Sequence, residues 1–220
     1  MCDTNYIINN EVDRMAIEAT KDVIDTSRAA LNNGKINGGE VFTPNWCVVD
    51  MGNLVGEALS RIDATVMEPT CGSGNILIDV LRRKMATVMS MPANEFMENA
   101  MRACKSIYGV DISKANVLQS RERLMRIVLN AHGMYVGKKM IPAEKEQFMS
   151  ILETNIIWGD MMSEQMWDTK NVASNEEGLA LSPGRVLVFK DWKTGTFEKL
   201  NGQKVQAWEL DDDDETVDDF

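Results

Sequence analysis

Met67-Glu-Pro-Thr-Cys-Gly-Ser-Gly-Asn-Ile-Leu77 is the stretch on which the reading of this chain turns. It follows a short apolar run, Ala64-Thr-Val-Met67, and leads into a helix-patterned segment from about Gly74 through Met89. A strand that passes through a glycine turn into a helix is the repeating unit of open parallel sheets, where ligands sit outside the carboxyl ends of the strands. Gly72 and Gly74 let the backbone approach a ligand, and Gly74 opens a helix whose first amides favour an anion. A lone G-x-G is weak evidence, whereas the full order of strand, E-P-x-x-G-x-G and helix is much more specific. A dinucleotide turn needs a third glycine or an alanine three residues after Gly74, where this chain has Leu77, so that reading is disfavoured. A phosphate P-loop is excluded because no G-K-[ST] follows.

Working outward, residues 11–33 read as a helix, since Met15, Ala19, Val23 and Ala30 recur near helical spacing. The turn-rich Ile36–Pro44 follows, and Asn45 is placed to cap a helix through Val48, Met51, Leu54, Val55 and Leu59. On the other side of the glycine turn, a Met-rich insertion over 91–103 precedes a second strand, Ser106-Ile-Tyr-Gly-Val110, ending at Asp111. A long helix runs from Ser113 to about Asn130. Another, after Pro142, leads to a third strand, Asn155-Ile-Ile-Trp158, ending at Gly159-Asp160. Alternating strands and helices predict an α/β, doubly wound, mostly parallel sheet. Past Asp160 the alternation fades: 161–182 reads as a polar connector, 185–189 as a strand, and the segments flanking Asn201-Gly202 as a hairpin. The expected organisation is an N-terminal helical segment at 1–39, one domain over 40–208 and an acidic tail at 209–220.

Two more strand exits carry chemistry. Asp111, in Tyr108-Gly-Val-Asp-Ile112, is placed to accept hydrogen bonds from both hydroxyls of a ribose, with Ile112 walling an adenine face. Asp160 is placed to accept from an exocyclic amine such as adenine N6. The plainer alternative is that Asp111 merely caps the following helix.

Taken together with Val41-Phe-Thr-Pro44, these pieces resemble the N-6 adenine-specific DNA methyltransferases, especially the modification subunits of restriction systems. The resemblance covers roughly residues 40–160 in that family's motif order: F-T-P, E-P-x-x-G-x-G, Y-G-V-D-I, N-I-I-W-G-D. It implies a Rossmann-like fold, S-adenosylmethionine as cofactor, and DNA as partner. It also implies that Thr43, Glu68, Gly72, Gly74, Asp111, Ile112 and Asp160 contact the cofactor, Thr43 at its methionine end. The family's catalytic N-P-P-Y or D-P-P-Y tetrapeptide is absent, because the five prolines at 44, 69, 92, 142 and 183 include no adjacent pair. Leu181-Ser-Pro-Gly184 is the nearest stretch and has glycine and Arg185 where proline and an aromatic belong. Phe189-Lys-Asp-Trp192 offers another candidate pair, with Asp191 set to accept from an amine and Trp192 to stack on a flipped base. The alternative for this pair is an edge-strand terminus with a half-buried indole.

Composition sets the remaining bounds. The length of 220 residues suits about one domain, and 44% hydrophobic with 26% charged residues is ordinary for a globular chain. No run approaches the roughly 18 apolar residues of a membrane span, and the N-terminus has no signal pattern, so a cytoplasmic location is expected. Four scattered cysteines and a single histidine argue against a zinc site, and no metal is expected. The formal charge of −11 is concentrated in Glu209–Phe220, which holds eight acids and no base, leaving 26 acids against 23 bases elsewhere, a net of −3. Such a tail reads as a solvated terminus or as a phosphate mimic that occupies a basic groove. The 16 methionines, clustered as Met85, Met89, Met91, Met97 and Met101, read as lining a core or a partner groove, and Arg121–Arg126 with Lys138 and Lys139 as a solvated helix face or a modest nucleic-acid patch. The expected function is adenine-N6 methyl transfer on DNA. The alternatives are a non-catalytic cofactor-binding subunit or decoy of a DNA-modifying or restriction complex, and methylation of RNA or protein.

Overall fold

A computed structural model describes residues 43–205. The expected helix at 11–33, the Val41-Phe42 half of the F-T-P motif and the acidic tail lie outside the described residues. The elements run α1 (Asn45–Val55), a 3-10 turn (Gly56–Ser60), β1 (Val66–Glu68), α2 (Asn75–Val88), α3 (Phe96–Lys105), β2 (Ile107–Asp111), α4 (Lys114–Tyr135), α5 (Pro142–Asn155) and β3 (Ile156–Asp160). Five short strands follow: β4 (Gln165–Trp167), β5 (Arg185–Val186), β6 (Val188–Lys190), β7 (Phe197–Lys199) and β8 (Lys204–Val205). The chain is mixed α/β.

Its main sheet has the order β1-β2-β3-β4-β5, with β1, β2 and β3 parallel and β4 and β5 added antiparallel. Each helix buries one stripe at helical spacing, as with Leu77, Leu81, Met85 and Val88 on α2, or Val117, Leu124, Val128 and Ala131 on α4. These stripes and the strand residues Ile107, Ile156 and Trp158 form one apolar cluster. Val110 and Ile157 point to the other face, where Leu187 and Phe189 cover them. The helices therefore pack on one face, and the strand order runs in one direction from β1 to β3. Among the described residues the reversal of order that defines a doubly wound sheet is not present, so the expected architecture is met over the β1–β3 half.

Several expected elements are revised. Residues 91–103 contain not an insertion but α3, because Phe96, Ala100, Ala103 and Cys104 fall on one face and are buried. Met85 lies in the core and Met89, Met91, Met97 and Met101 pack against it. The connector at 161–182 includes β4, which folds back on β3 through a turn with Glu164 at φ 55°. The expected strand at 185–189 is divided at Leu187: β5 pairs with β4, while β6 joins β7 and β8 in a second sheet. The hairpin around Asn201-Gly202 forms, with Gly202 at φ 79°. No described helix is long and apolar enough to cross a membrane.

Candidate cofactor site at the carboxyl ends of the parallel strands

The register fixes where the three acids stand. Glu68 pairs with Gly109 and Asp111 with Trp158, so Glu68, Asp111 and Asp160 end successive strands, each two residues beyond the last. Paired residues in parallel strands share a face, and residues two apart along a strand do too. All three carboxylates consequently leave the sheet on the helix-packed side.

Between β1 and α2 the chain makes a tight turn, closed by the Gly74 amide donating to the Cys71 carbonyl at 2.8 Å. Two bonds pin this turn to β2: the Cys71 amide to the Val110 carbonyl at 2.8 Å, and the Gly72 amide to Asp111 Oδ2 at 2.8 Å. The two glycines do different work. Gly72 has φ +52°, and a Cβ placed on it would point into open space, as a ligand-facing position requires. Gly74 has φ +90° and a Cβ there would collide with Ser120 of α4, so this glycine lets two helices approach. Leu77, whose bulk disfavours a dinucleotide turn, is accommodated by a glycine on the strand instead: a Cβ on Gly109 would lie 2.7 Å from Leu77 Cδ1.

Asp111 faces the glycine turn, and it also serves the next helix. Oδ1 accepts from the Ser113 amide at 2.9 Å and from Asn116 Nδ2 at 3.1 Å, while Oδ2 accepts from Gly72. A carboxylate has about four acceptor sites, so about one is left. Asp111 thus serves both the start of α4, the plainer expectation for it, and the glycine turn. Glu68 is half-buried, and its Oε1 accepts only long contacts from the Thr70 amide and hydroxyl, at 3.3 and 3.4 Å. Ile112 is exposed beside Asp111, and its carbonyl takes the Trp158 indole N–H at 2.9 Å.

Asp160 begins a hairpin turn, not a strand-to-helix exit. Its oxygens accept from the Met162 amide at 2.9 Å and the Ser163 hydroxyl at 2.8 Å. The Ser163 bond, with that amide, holds its pKa below the usual carboxylate range. Thr43 is half-buried, and its carbonyl accepts from Asn75 Nδ2 at 3.1 Å, which ties the start of α1 to the first residue of α2.

Asp191 and Trp192 are not brought to this site. The Trp192 indole N–H donates to Asn155 Oδ1 at 2.8 Å, and Lys105 Nζ lies 5.1 Å from its ring. Asn155 Nδ2 in turn donates to the Ile107 carbonyl at 2.9 Å, so the indole sits at the amino ends of β2 and β3. Four residues of strand separate Ile107 from Asp111, roughly 13 Å at about 3.3 Å each. The Asp191 carboxylate closes its own turn, accepting from the Lys193 amide at 2.9 Å and the Thr194 hydroxyl at 2.7 Å.

Three contributors are not among the cofactor contacts expected from the sequence. Asn116 orients Asp111. Residues 172–180 fold over the start of α4, where the Lys114 amide donates to the Gly178 carbonyl at 2.8 Å and Lys114 Nζ to the Val172 carbonyl at 2.7 Å. Arg123 reaches from α4 to the glycine turn, donating to the Ser73 carbonyl at 2.6 Å and to Asn75 Oδ1 at 3.0 Å. Its neighbour in the suggested basic patch, Arg121, is buried and donates to the Ile156 and Glu153 carbonyls, so it is structural. Comparison with family models, with curated proteins and with solved structures finds no match for this chain.

Proposed function

We propose that the chain binds S-adenosylmethionine at the glycine turn and acts in adenine-N6 methylation of DNA. One observation supports this above the others: Asp111 meets the Gly72 amide across a turn whose Gly72 side is open. A nucleoside ligand placed there has a carboxylate for its sugar, an exposed apolar wall at Ile112, and backbone free of side-chain bulk at Gly72. The donor set fits the cofactor's parts, with an acid for the hydroxyls and helix amides for the amino-acid carboxylate. When bound, the cofactor supplies an electrophilic methyl group. That methyl group would pass from the sulfonium to the amine nitrogen, leaving the thioether, with the amine proton released to solvent. The chain's own contribution is to hold and orient the cofactor.

A second reading, a cofactor-binding subunit that pairs with a catalytic or restriction protein, is favoured by the remoteness of Asp191 and Trp192 from the glycine turn. Incubation of the full chain with methyl-labelled cofactor and mixed-sequence DNA separates the two. Label in N6-methyladenine supports the enzyme; saturable cofactor binding without transfer supports the subunit; no binding contradicts both.

A further inference from the structure

The half-buried cation beside the glycine turn is Arg123. Arg123 Nη1 donates to the Ser73 carbonyl, to the Ser73 hydroxyl at 2.9 Å and to Asn75 Oδ1, three acceptors on the turn and the first residue of α2. Asn75 is thereby orientated with its amide group toward Thr43, whose carbonyl it holds at 3.1 Å. Among the described residues no carboxylate pairs with Arg123, and its Nη2 is buried without a partner. Burial and the nearby Arg82 and Arg126 bring its pKa down to about 10, so the charge is kept at a cost. That charge lies by the amino end of α2, where the helix dipole is also positive. Asp111, by contrast, makes the other side of the turn negative. A ligand with a hydroxylated sugar at one end and an amino-acid carboxylate at the other is matched in one orientation only.

We infer that Arg123, acting through Asn75 and Thr43, is the positioning residue for the amino-acid end of the cofactor. This rests on the cofactor reading above. The relay fixes the Ser73 and Thr43 backbone around the end of the ligand that carries the carboxylate, while the adenosine end depends on Asp111 and Ile112. Arg123→Gln is too short to reach all three acceptors, and Asn75→Ala breaks the link to Thr43 while leaving Arg123 on Ser73.

The test is calorimetric titration of the full chain with two probes, S-adenosylhomocysteine and 5′-methylthioadenosine, which share the adenosyl thioether and differ by the amino-acid end. Arg123→Gln and Asn75→Ala are each expected to bind S-adenosylhomocysteine about tenfold more weakly, the effect of one charge-assisted contact. Their affinity for 5′-methylthioadenosine is expected to stay within about twofold of wild type. A merely structural role would weaken both probes equally, and that outcome, or an unchanged ratio, overturns the inference. Should Arg123→Gln fail to fold, Asn75→Ala decides alone. If the wild type binds neither probe, the cofactor reading itself fails; if it binds both and the variants keep its ratio, only the positioning role does.

Discussion

Asp111 ties the glycine turn to the start of α4 through three donors on its two oxygens. An acid at a strand end before a helix is visible in Tyr108–Ile112, yet the amides of Gly72 and Ser113 and the side chain of Asn116 that occupy it come from the folded turn and helix. Arg121 is similar: its spacing in a basic run suggests solvent, whereas the Ile156 carbonyl at the head of β3 needs a donor and takes its guanidinium. Lys84 is the residue whose burial carries a pH signature. It is fully buried, donates to the Ala64 carbonyl and the Ser106 hydroxyl, and burial lowers its pKa from 10.5 to about 8. Between those values the unfolded chain binds a proton that the folded chain sheds, so this group's contribution to stability rises with pH from about 8 to 10.5. Urea denaturation of wild type and Lys84→Met across this range is expected to show the wild type gaining on the variant. A difference independent of pH contradicts the assignment.

Elements were readable wherever periodicity and punctuation agreed. β1 through β3 and the helices α2, α4 and α5 fall within a few residues of where hydrophobic spacing puts them, because each buries a continuous stripe against the same core. Past Asp160 the strands are two or three residues long, and which sheet each joins is decided by tertiary pairing, as at Leu187. The glycine turn yields a prediction at this scale. Gly74→Ala must adopt a left-handed backbone and also displace Ser120, and is expected to cost roughly 2–4 kcal/mol. Gly72→Ala meets open space and pays only for its positive φ, about 1 kcal/mol, but its methyl group intrudes on the ligand side. Denaturation midpoints should therefore rank Gly74→Ala below Gly72→Ala, while cofactor affinity falls for Gly72→Ala. The reverse order of stability would refute the division of labour between the two glycines.

At the scale of the whole molecule, the sheet keeps two chemistries apart. The acids Glu68, Asp111 and Asp160 stand at the carboxyl ends of the parallel strands, and Asp191 with Trp192 at the amino ends. Sequence separation concealed this, because β6 to β8 fold beneath the sheet and anchor through the Tyr108 hydroxyl, which donates to the Lys190 carbonyl at 2.8 Å. Trp192→Phe is expected to cost about 1 kcal/mol through the lost bond to Asn155 and to leave cofactor affinity within about twofold. A tenfold loss of affinity would place the indole at the site after all. The claim beneath all of this is that the Gly72 turn and Asp111 hold an adenosyl sulfonium. Calorimetry of S-adenosylmethionine with wild type and Asp111→Ala addresses it most directly. Saturable binding at one site per chain, weakened about tenfold or more in Asp111→Ala, is the predicted result; absence of binding, or equal affinity in the two proteins, would contradict it.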